Sequence, residues 1–354
     1  MTDALMTAGL AGLRLLPAET AHDWTLAALE RLPRRTPPPD PAGLAVSLAG
    51  LSLTNPIGLA AGFDKDARVA DAMFGLGFGF VEVGSVTPEP QPGNPKPRAF
   101  RLAHDRAVIN RYGFNSQGLD QVAARLQARA GRPGVLGANL GANKTSADRI
   151  GDYVTGLKRL YPFVQFVTVN ISSPNTEALR ELQGEASVNE LLARVMAARA
   201  LMATDHGSKP VFLKVAPDLD AEGIDIIAQA ATRHHVDALV IANTTIARPK
   251  SLTSAAKGEA GGLSGAPLFA PSTETLKAFY RRLGGATPLI GVGGVGSADQ
   301  AYAKIRAGAS AIQLYTALVY EGPGLVARIK AGLATRLARD GFDTLAQAVG
   351  TAVN

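Results

Sequence analysis

Residues 211–242 read VFLKVAPDLDAEGIDIIAQAATRHHVDALVIA. Two short apolar runs, Val211–Val215 and Ala238–Ala242, flank Ala221–Arg233, whose apolar positions recur at helical spacing. The runs are apolar at successive residues rather than at alternate ones, the pattern of a strand covered on both faces. Strand, helix, strand in that order makes a parallel unit, because the helix carries the chain back to the edge where the first strand began.

The same unit repeats outward from this stretch. Before it come Ile57–Ala61, Phe80–Gly84, Val135–Leu140 and Gln165–Asn170; after it come Leu289–Val292 and Ala311–Leu314. Ser187–Thr204 is a second clear helix. Eight strand–helix units predict an α/β fold of the (β/α)8 barrel type, with an open doubly wound sheet as the rival. A small hairpin, Leu44–Leu53, precedes the first strand. The segment between Ser85 and Gln117 is long for a strand-to-helix loop, and loops of that length usually carry function. Alternation at Arg98–Ala103 and Ala107–Arg111 predicts a hairpin within it.

Composition narrows the chemistry. The 354 residues are 46% apolar and 19% charged, enough apolar material for a sizeable core. Cysteine is absent, which excludes disulfides, cysteine-ligated zinc, iron–sulfur clusters and a cysteine nucleophile or base. The five histidines show no metal-ligand spacing, so no metal site is expected. The formal charge of +6 suits an anionic partner, but dispersed arginines and 6% aromatics argue against nucleic acid.

Residues 1–40 read differently from the barrel at 41–354. Ala4–Leu16 carries only Arg14 as a charge; Trp24–Leu32 follows; a proline-rich stretch, Pro33–Pro39, then stiffens the chain. Two short amphipathic helices are predicted, with Leu10, Leu13, Leu16, Trp24, Leu26 and Leu29 on one side and Arg14, Arg31, Arg34 and Arg35 at the rim. Such a pair suits a membrane interface; a helical cap on the barrel is the alternative. No run is long and apolar enough for a spanning helix.

A barrel of this type places its chemistry at the C-terminal ends of the strands. There the sequence shows Ala61 and Lys65, Ser85, Asn139, Asn170 through Thr176, Lys214, Ala242 through Thr244, Gly293–Gly294, and Tyr315–Thr316. Lys214 interrupts an apolar strand, where a cation is costly unless it is paired or faces a ligand. Gly291–Gly296 has the spacing G-x-G-x-x-G but sits too late for a dinucleotide fold; a backbone cradle for a phosphate after the seventh strand fits better. Gly261–Gly265 can add further amides. Asn110 and Asn115 bracket a turn that can present amides to a planar polar ligand, and Lys65 can take a carboxylate.

Taken together, AAGFDK at 60–65, NRYGFN at 110–115, NISSPNT at 170–176, Asn243-Thr244-Thr245 and the two glycine clusters resemble the dihydroorotate dehydrogenase family, in its membrane-associated, quinone-dependent class. The resemblance runs in order from about residue 44 to 330. It implies FMN as cofactor, oxidation of dihydroorotate to orotate in pyrimidine synthesis, a membrane quinone as acceptor, and peripheral contact with the bilayer at the cytoplasmic face. It implies Ser173 as the base, where the family's cytosolic class uses cysteine. Orotate would be held by Lys65, Asn110, Arg111, Tyr112, Gly113, Phe114, Asn170, Asn175, Asn243 and Thr244. FMN would be held by Ala61, Ser85, Asn139, Asn170, Lys214, Ala242, Gly265, Gly294, Tyr315 and Thr316. Ala242 departs from members with threonine there, so a hydroxyl contact is lost. Thr176 and the backbone near Phe114 are implied as a proton relay. Other FMN barrels fit less well: a hydroxy-acid oxidase needs a catalytic histidine, yet His234 and His235 fall at the wrong end of the barrel.

Overall fold

A computed structural model describes residues 9, 12–37, 39–173 and 180–353. Eight parallel strands close into a barrel: β1 Ile57–Leu59, β2 Phe80–Val86, β3 Val135–Leu140, β4 Phe166–Asn170, β5 Val211–Val215, β6 Ala238–Ile241, β7 Leu289–Val292 and β8 Ala309–Leu314. Closure comes from β8 pairing with β1, Ile312 opposite Ile57 and Leu314 opposite Leu59. Each strand lies where an apolar run was read, and helices such as Glu185–His206 and Ala221–Arg233 ring the outside.

Alternation along each strand sorts residues into two cores. Val81, Val167, Leu213 and Ile312 face out, into the large cluster beneath the helices. Phe80, Phe166, Phe212 and Ala311 face in. The three phenylalanines form one layer, Phe166 stacked on Phe212 at 4.7 Å and edge-on to Phe80 at 6.2 Å. Their bulk is matched by missing side chains: a Cβ on Gly58 would come 2.2 Å from the Phe80 ring, and one on Gly137 would come 2.1 Å from that of Phe166. Leu48 and Leu53, from the hairpin Val46–Leu48 and Leu51–Leu53, plug this layer from below.

One step further along the same strands the inward residues turn polar: Glu82 on β2, Asn139 on β3, Lys214 on β5 and Gln313 on β8, all buried. The barrel therefore has an apolar base and a polar upper layer, on which the site is built.

Two additions cover the top. The long segment after β2 folds into the expected hairpin, Ala99–Leu102 and Ala107–Asn110. A third strand, Gly262–Gly265, pairs with it antiparallel, Gly262 opposite Asn110. This strand was not read from the sequence; the glycines there suggested only loose amides. The second addition is helix α1, Ala18–Arg31. It is pinned by charge: Glu30 takes both Nε and Nη2 of Arg68 at 2.7 and 2.8 Å, and Glu19 takes Nη2 of Arg98 at 2.8 Å. Residues 12–15 are also helical. The expected single apolar face does not hold. Ala21 and Leu26 are buried, whereas Trp24 is 61% exposed and Leu15 88% exposed. The reason is that α1 is flanked by barrel on one side only, so its apolar residues divide between the protein and the surroundings. Leu10 lies outside the described residues.

Candidate active site

A cavity of about 830 Å³ opens above the polar layer, between the strand ends and α1. Its floor is fixed by one carboxylate. Glu82 accepts Asn139 Nδ2 at 2.6 Å on one oxygen and Gln313 Nε2 on the other. Asn139, its amide so oriented, accepts Ser85 Oγ and Asn170 Nδ2, the latter at 3.0 Å. Gln313 spends its amide on Glu82, which leaves its Oε1 buried without a hydrogen-bond partner while the residue lines the cavity. Lys214 also lines it; burial lowers the lysine's pKa, and the charge of Glu82 opposes that shift.

The ends of β4 and β6 form the next tier. Ser173 is 5% exposed and lines the cavity with Asn170, Asn243 and Thr244. Its neighbour Ser172 does the bracing. Ser172 Oγ donates to Asn170 Oδ1 at 2.7 Å and accepts Asn243 Nδ2 at 2.9 Å, so one hydroxyl fixes both amides.

Lys65, in the loop after β1, sits over the Tyr112 ring at 3.9 Å from its centre. Burial lowers its pKa to about 8, partly offset by Asp66. Its loop is held by Asp64, whose carboxylate accepts the N–H groups of Arg68 and Val69 at 2.8 Å each. Burial raises the Asp64 pKa to about 6. Asn110, Tyr112, Gly113 and Phe114 join the wall from the three-stranded sheet and the turn after it. Phe114 lies against Gly141, where a Cβ would meet its ring at 2.8 Å.

Opposite stands the glycine loop after β7. Gly293 and Gly294 have φ of +101° and +74°, and a Cβ on Gly294 would come 2.5 Å from the Phe269 backbone, so glycine is required. The Gly296 amide does not join this cradle, because it donates to Gln300 Oε1 at 2.8 Å. Thr316 Oγ1 donates to Ser264 Oγ at 2.9 Å, tying the end of β8 to the third strand of the upper sheet.

The far end of the cavity is apolar. Leu13, Ala21 and Leu29 line it, with His22 of α1 edge-on to Phe63 at 5.4 Å and near Tyr315, whose ring meets Phe63 at 5.4 Å. Burial, and then the nearby charge of Lys65, hold the His22 pKa down to about 3, so this imidazole is neutral at physiological pH.

The expected site residues thus converge, with three adjustments. Asn139 lies beneath the wall and acts through Ser85 and Asn170. Arg111 is a correction: its guanidinium turns away, to Glu259 at 2.8 Å and to the Ala260 and Pro97 carbonyls, and lies over the Phe100 ring. It braces the upper sheet, since inward–outward alternation along the segment after Asn110 sends it outward. Asn175 and Thr176 lie outside the described residues. Glu82, Gln313, Ser172 and His22 were not read as site residues. Glu82 and Gln313 interrupt apolar strands just as Lys214 does, and that signal could have found them.

Residues 43–337 match the dihydroorotate dehydrogenase family. The chain belongs to it. A relative from Parvibaculum lavamentivorans, named dihydroorotate dehydrogenase (quinone), is 56% identical over 97% of each chain. One of the same name from Allorhizobium ampelinum is 54% identical over 95% of this chain and 93% of its own. Among solved structures, that of the Eimeria tenella enzyme in complex with ferulenol superposes with a TM-score of 0.89 at 40% identity, covering 94% of this chain and 95% of that one. The site of this dihydroorotate dehydrogenase family member combines a fixed polar floor, a glycine cradle and an apolar arm.

Proposed function

We propose that the chain oxidises (S)-dihydroorotate to orotate, a step of pyrimidine synthesis, with FMN held on the polar floor and a membrane quinone as the final electron acceptor. The observation that carries this is the meeting of Ser173, Lys214 and Lys65 in one cavity whose remaining wall is the apolar side of α1. The residues fit FMN: a buried amide oxygen on Gln313 seeks a donor, Lys214 offers positive charge, and the Gly293–Gly294 loop lines the same cavity with backbone that carries no side chain. Ala61, Ser85, Asn170, Lys214, Ala242, Gly265, Gly294, Tyr315 and Thr316 would hold it, with Asn139 behind them. When bound, FMN supplies the acceptor for the hydride from C6 of dihydroorotate and passes the electrons on to quinone.

The protein's own part is binding and proton transfer. Lys65 and the amides of Asn110, Asn170 and Asn243 match an anionic planar ring carrying a carboxylate. A bound carboxylate beside Lys65 restores the protonated state that burial has weakened. Ser173 Oγ takes the C5 proton while its own hydroxyl proton leaves through the relay that the family resemblance assigns to Thr176. A serine hydroxyl is a weak base, so it needs a dry, positively charged setting, and burial together with the Lys214 charge in the same cavity supplies one. Ser172 keeps Asn170 and Asn243 from rotating while this happens.

Residues 1–40 form the quinone-access segment in this reading. Exposed Leu15, Trp24 and Leu32 stand on the same segment as exposed Arg31, Arg34 and Arg35, the mixture that favours an anionic lipid surface. Among the described residues no helix is long and apolar enough to cross a membrane. In this reading the contact with the bilayer is peripheral, at the cytoplasmic face. Stopped-flow mixing of the purified yellow protein with dihydroorotate should bleach the flavin band in a single turnover. A colourless protein that cannot take up FMN, or a flavin that dihydroorotate leaves oxidised, overturns the proposal.

A further inference from the structure

Behind the glycine loop lies a lysine that the mechanism above does not use. Lys304, on helix Ala298–Arg306, is fully buried. Its stem runs along β7, where a Cβ on Gly291 would come 3.0 Å from its Cδ. Its Nζ donates to Ser272 Oγ at 2.9 Å and to Thr273 Oγ1 at 3.0 Å. Among the described residues no carboxylate perturbs it; burial alone lowers its pKa, to about 7. A buried cation held by two neutral hydroxyls and the face of the Phe269 ring, 5.4 Å from its centre, has no carboxylate to offset its charge and is costly.

The hydroxyl it holds leads to the cavity. Because the ammonium occupies an acceptor position of Ser272, the serine's own proton must turn toward carbonyls. Those in reach are Leu268 at 2.7 Å, Phe269 at 3.2 Å and Gly293 at 3.2 Å. The Gly293–Gly294 peptide is trans, so drawing the Gly293 carbonyl toward Ser272 turns the Gly294 N–H to the opposite side. That side is the cavity, which both glycines line. No described residue accepts the Gly294 N–H.

We infer that Lys304 is the buried counter-charge for the cofactor's phosphate, and that through Ser272 it aims the Gly294 amide at that phosphate, an inference that rests on the flavin reading above. The charge acts across one layer of glycine backbone, where little water screens it. A phosphate on the far side in turn favours the protonated lysine.

Riboflavin separates the phosphate's contribution from the ring's. Full-length protein purified with its flavin is diluted until the flavin leaves, and the fluorescence released gives a Kd for FMN; the same protein reloaded with riboflavin gives a second. Lys304→Met keeps the stem and removes the charge. The FMN Kd should rise about tenfold or more while the riboflavin Kd stays near its wild-type value, the size expected for a lost charge-assisted contact. An unchanged ratio of the two constants, or a parallel rise in both, overturns the inference. Should Lys304→Met fail to fold by circular dichroism, Ser272→Ala takes its place, with a fall in phosphate preference of at least about threefold expected; an unchanged preference again overturns it. A wild-type chain that binds neither flavin defeats the flavin reading itself. A wild type that prefers FMN, with both variants preserving that preference, defeats only the part assigned to Lys304.

Discussion

The two ends of the cavity are built on opposite principles. At the strand ends the amides and hydroxyls brace one another: Glu82 holds Asn139 and Gln313, Asn139 holds Ser85 and Asn170, and Ser172 holds Asn170 and Asn243. Beneath α1 the wall is made largely of small and aliphatic side chains with His22 among them, on a helix tied to the barrel by two ion pairs, Glu30 with Arg68 and Glu19 with Arg98, and by the burial of Leu26. A proton and a hydride must leave one small ring at fixed positions, which needs groups held to within fractions of an ångström. A lipid-soluble acceptor needs an apolar path and an element that can shift. The difference between the two ends thus mirrors two half-reactions with different demands.

The sharpest way to break this comparison is to damage the braced end alone. Ser173→Ala should slow flavin reduction by dihydroorotate about 10²- to 10⁴-fold, the usual cost of losing a general base, with flavin still bound and quinone able to reoxidise chemically reduced protein. Stopped-flow absorbance reads both arms; reduction at a near-normal rate would remove Ser173 from its role. Lys214→Met should come next, with reduction about 10²-fold slower, because the cation is preorganised where negative charge develops. The same variant should release flavin more readily on gel filtration. Full retention together with full activity would make Lys214 a structural cation.

Much of the braced end was legible because strands buried on both faces leave a plain trace: an apolar run in which any polar residue is an anomaly. Lys214 was recognised that way, and Glu82 and Gln313 carry the same mark. The third strand of the upper sheet, Gly262–Gly265, was not legible, since GLSG has no strand pattern of its own and gains its partner only when Asn110 is brought alongside. Arg111 misled for a related reason. It sits between residues that do line the cavity, and only the pairing of Ala107–Asn110 fixes the direction in which the chain leaves the strand. In α1 the spacing of apolar residues was clear, but which of them meet protein and which face outward depends on the one-sided support of the barrel.

Damage to the other end should have the complementary result. The boundary for this test is set by Asp40, which accepts Asn55 Nδ2 at 2.8 Å and pairs with buried Lys330 at the base of the barrel. Removing it would strand a buried charge, at a cost of about 3–5 kcal/mol. Deletion of residues 1–36 avoids this, and the family match itself starts at 43. The shortened chain should reduce its flavin with dihydroorotate at the full rate. Its turnover with a long-chain quinone in liposomes should fall at least about tenfold, the scale of membrane affinity lost with an apolar interfacial helix. Unchanged liposome turnover would reduce α1 to a structural cap.

The mildest perturbation is pH. His22 has its pKa held near 3 in place, by burial first and the Lys65 charge second, against 6.5 for an exposed histidine. Detached, α1 therefore binds a proton that the docked helix refuses, and docking weakens as pH falls from about 6.5 toward 3, with full stability above that window. At pH 5 the loss is about 1–2 kcal/mol. Glu19 does not oppose this: burial pushes its pKa up, but Arg98 and Lys96 outweigh burial and hold it below the usual carboxylate value. Trp24 is the one tryptophan in the chain and lies on α1, so its fluorescence reports the helix alone. Acidification from pH 7 to 5 should shift that emission and speed hydrogen exchange in α1 while the barrel strands stay protected. His22→Phe, which keeps a neutral ring against Phe63, should abolish the shift. If the shift survives that substitution, another group loosens the helix, and the docking of α1 is set by its ion pairs rather than by the buried imidazole.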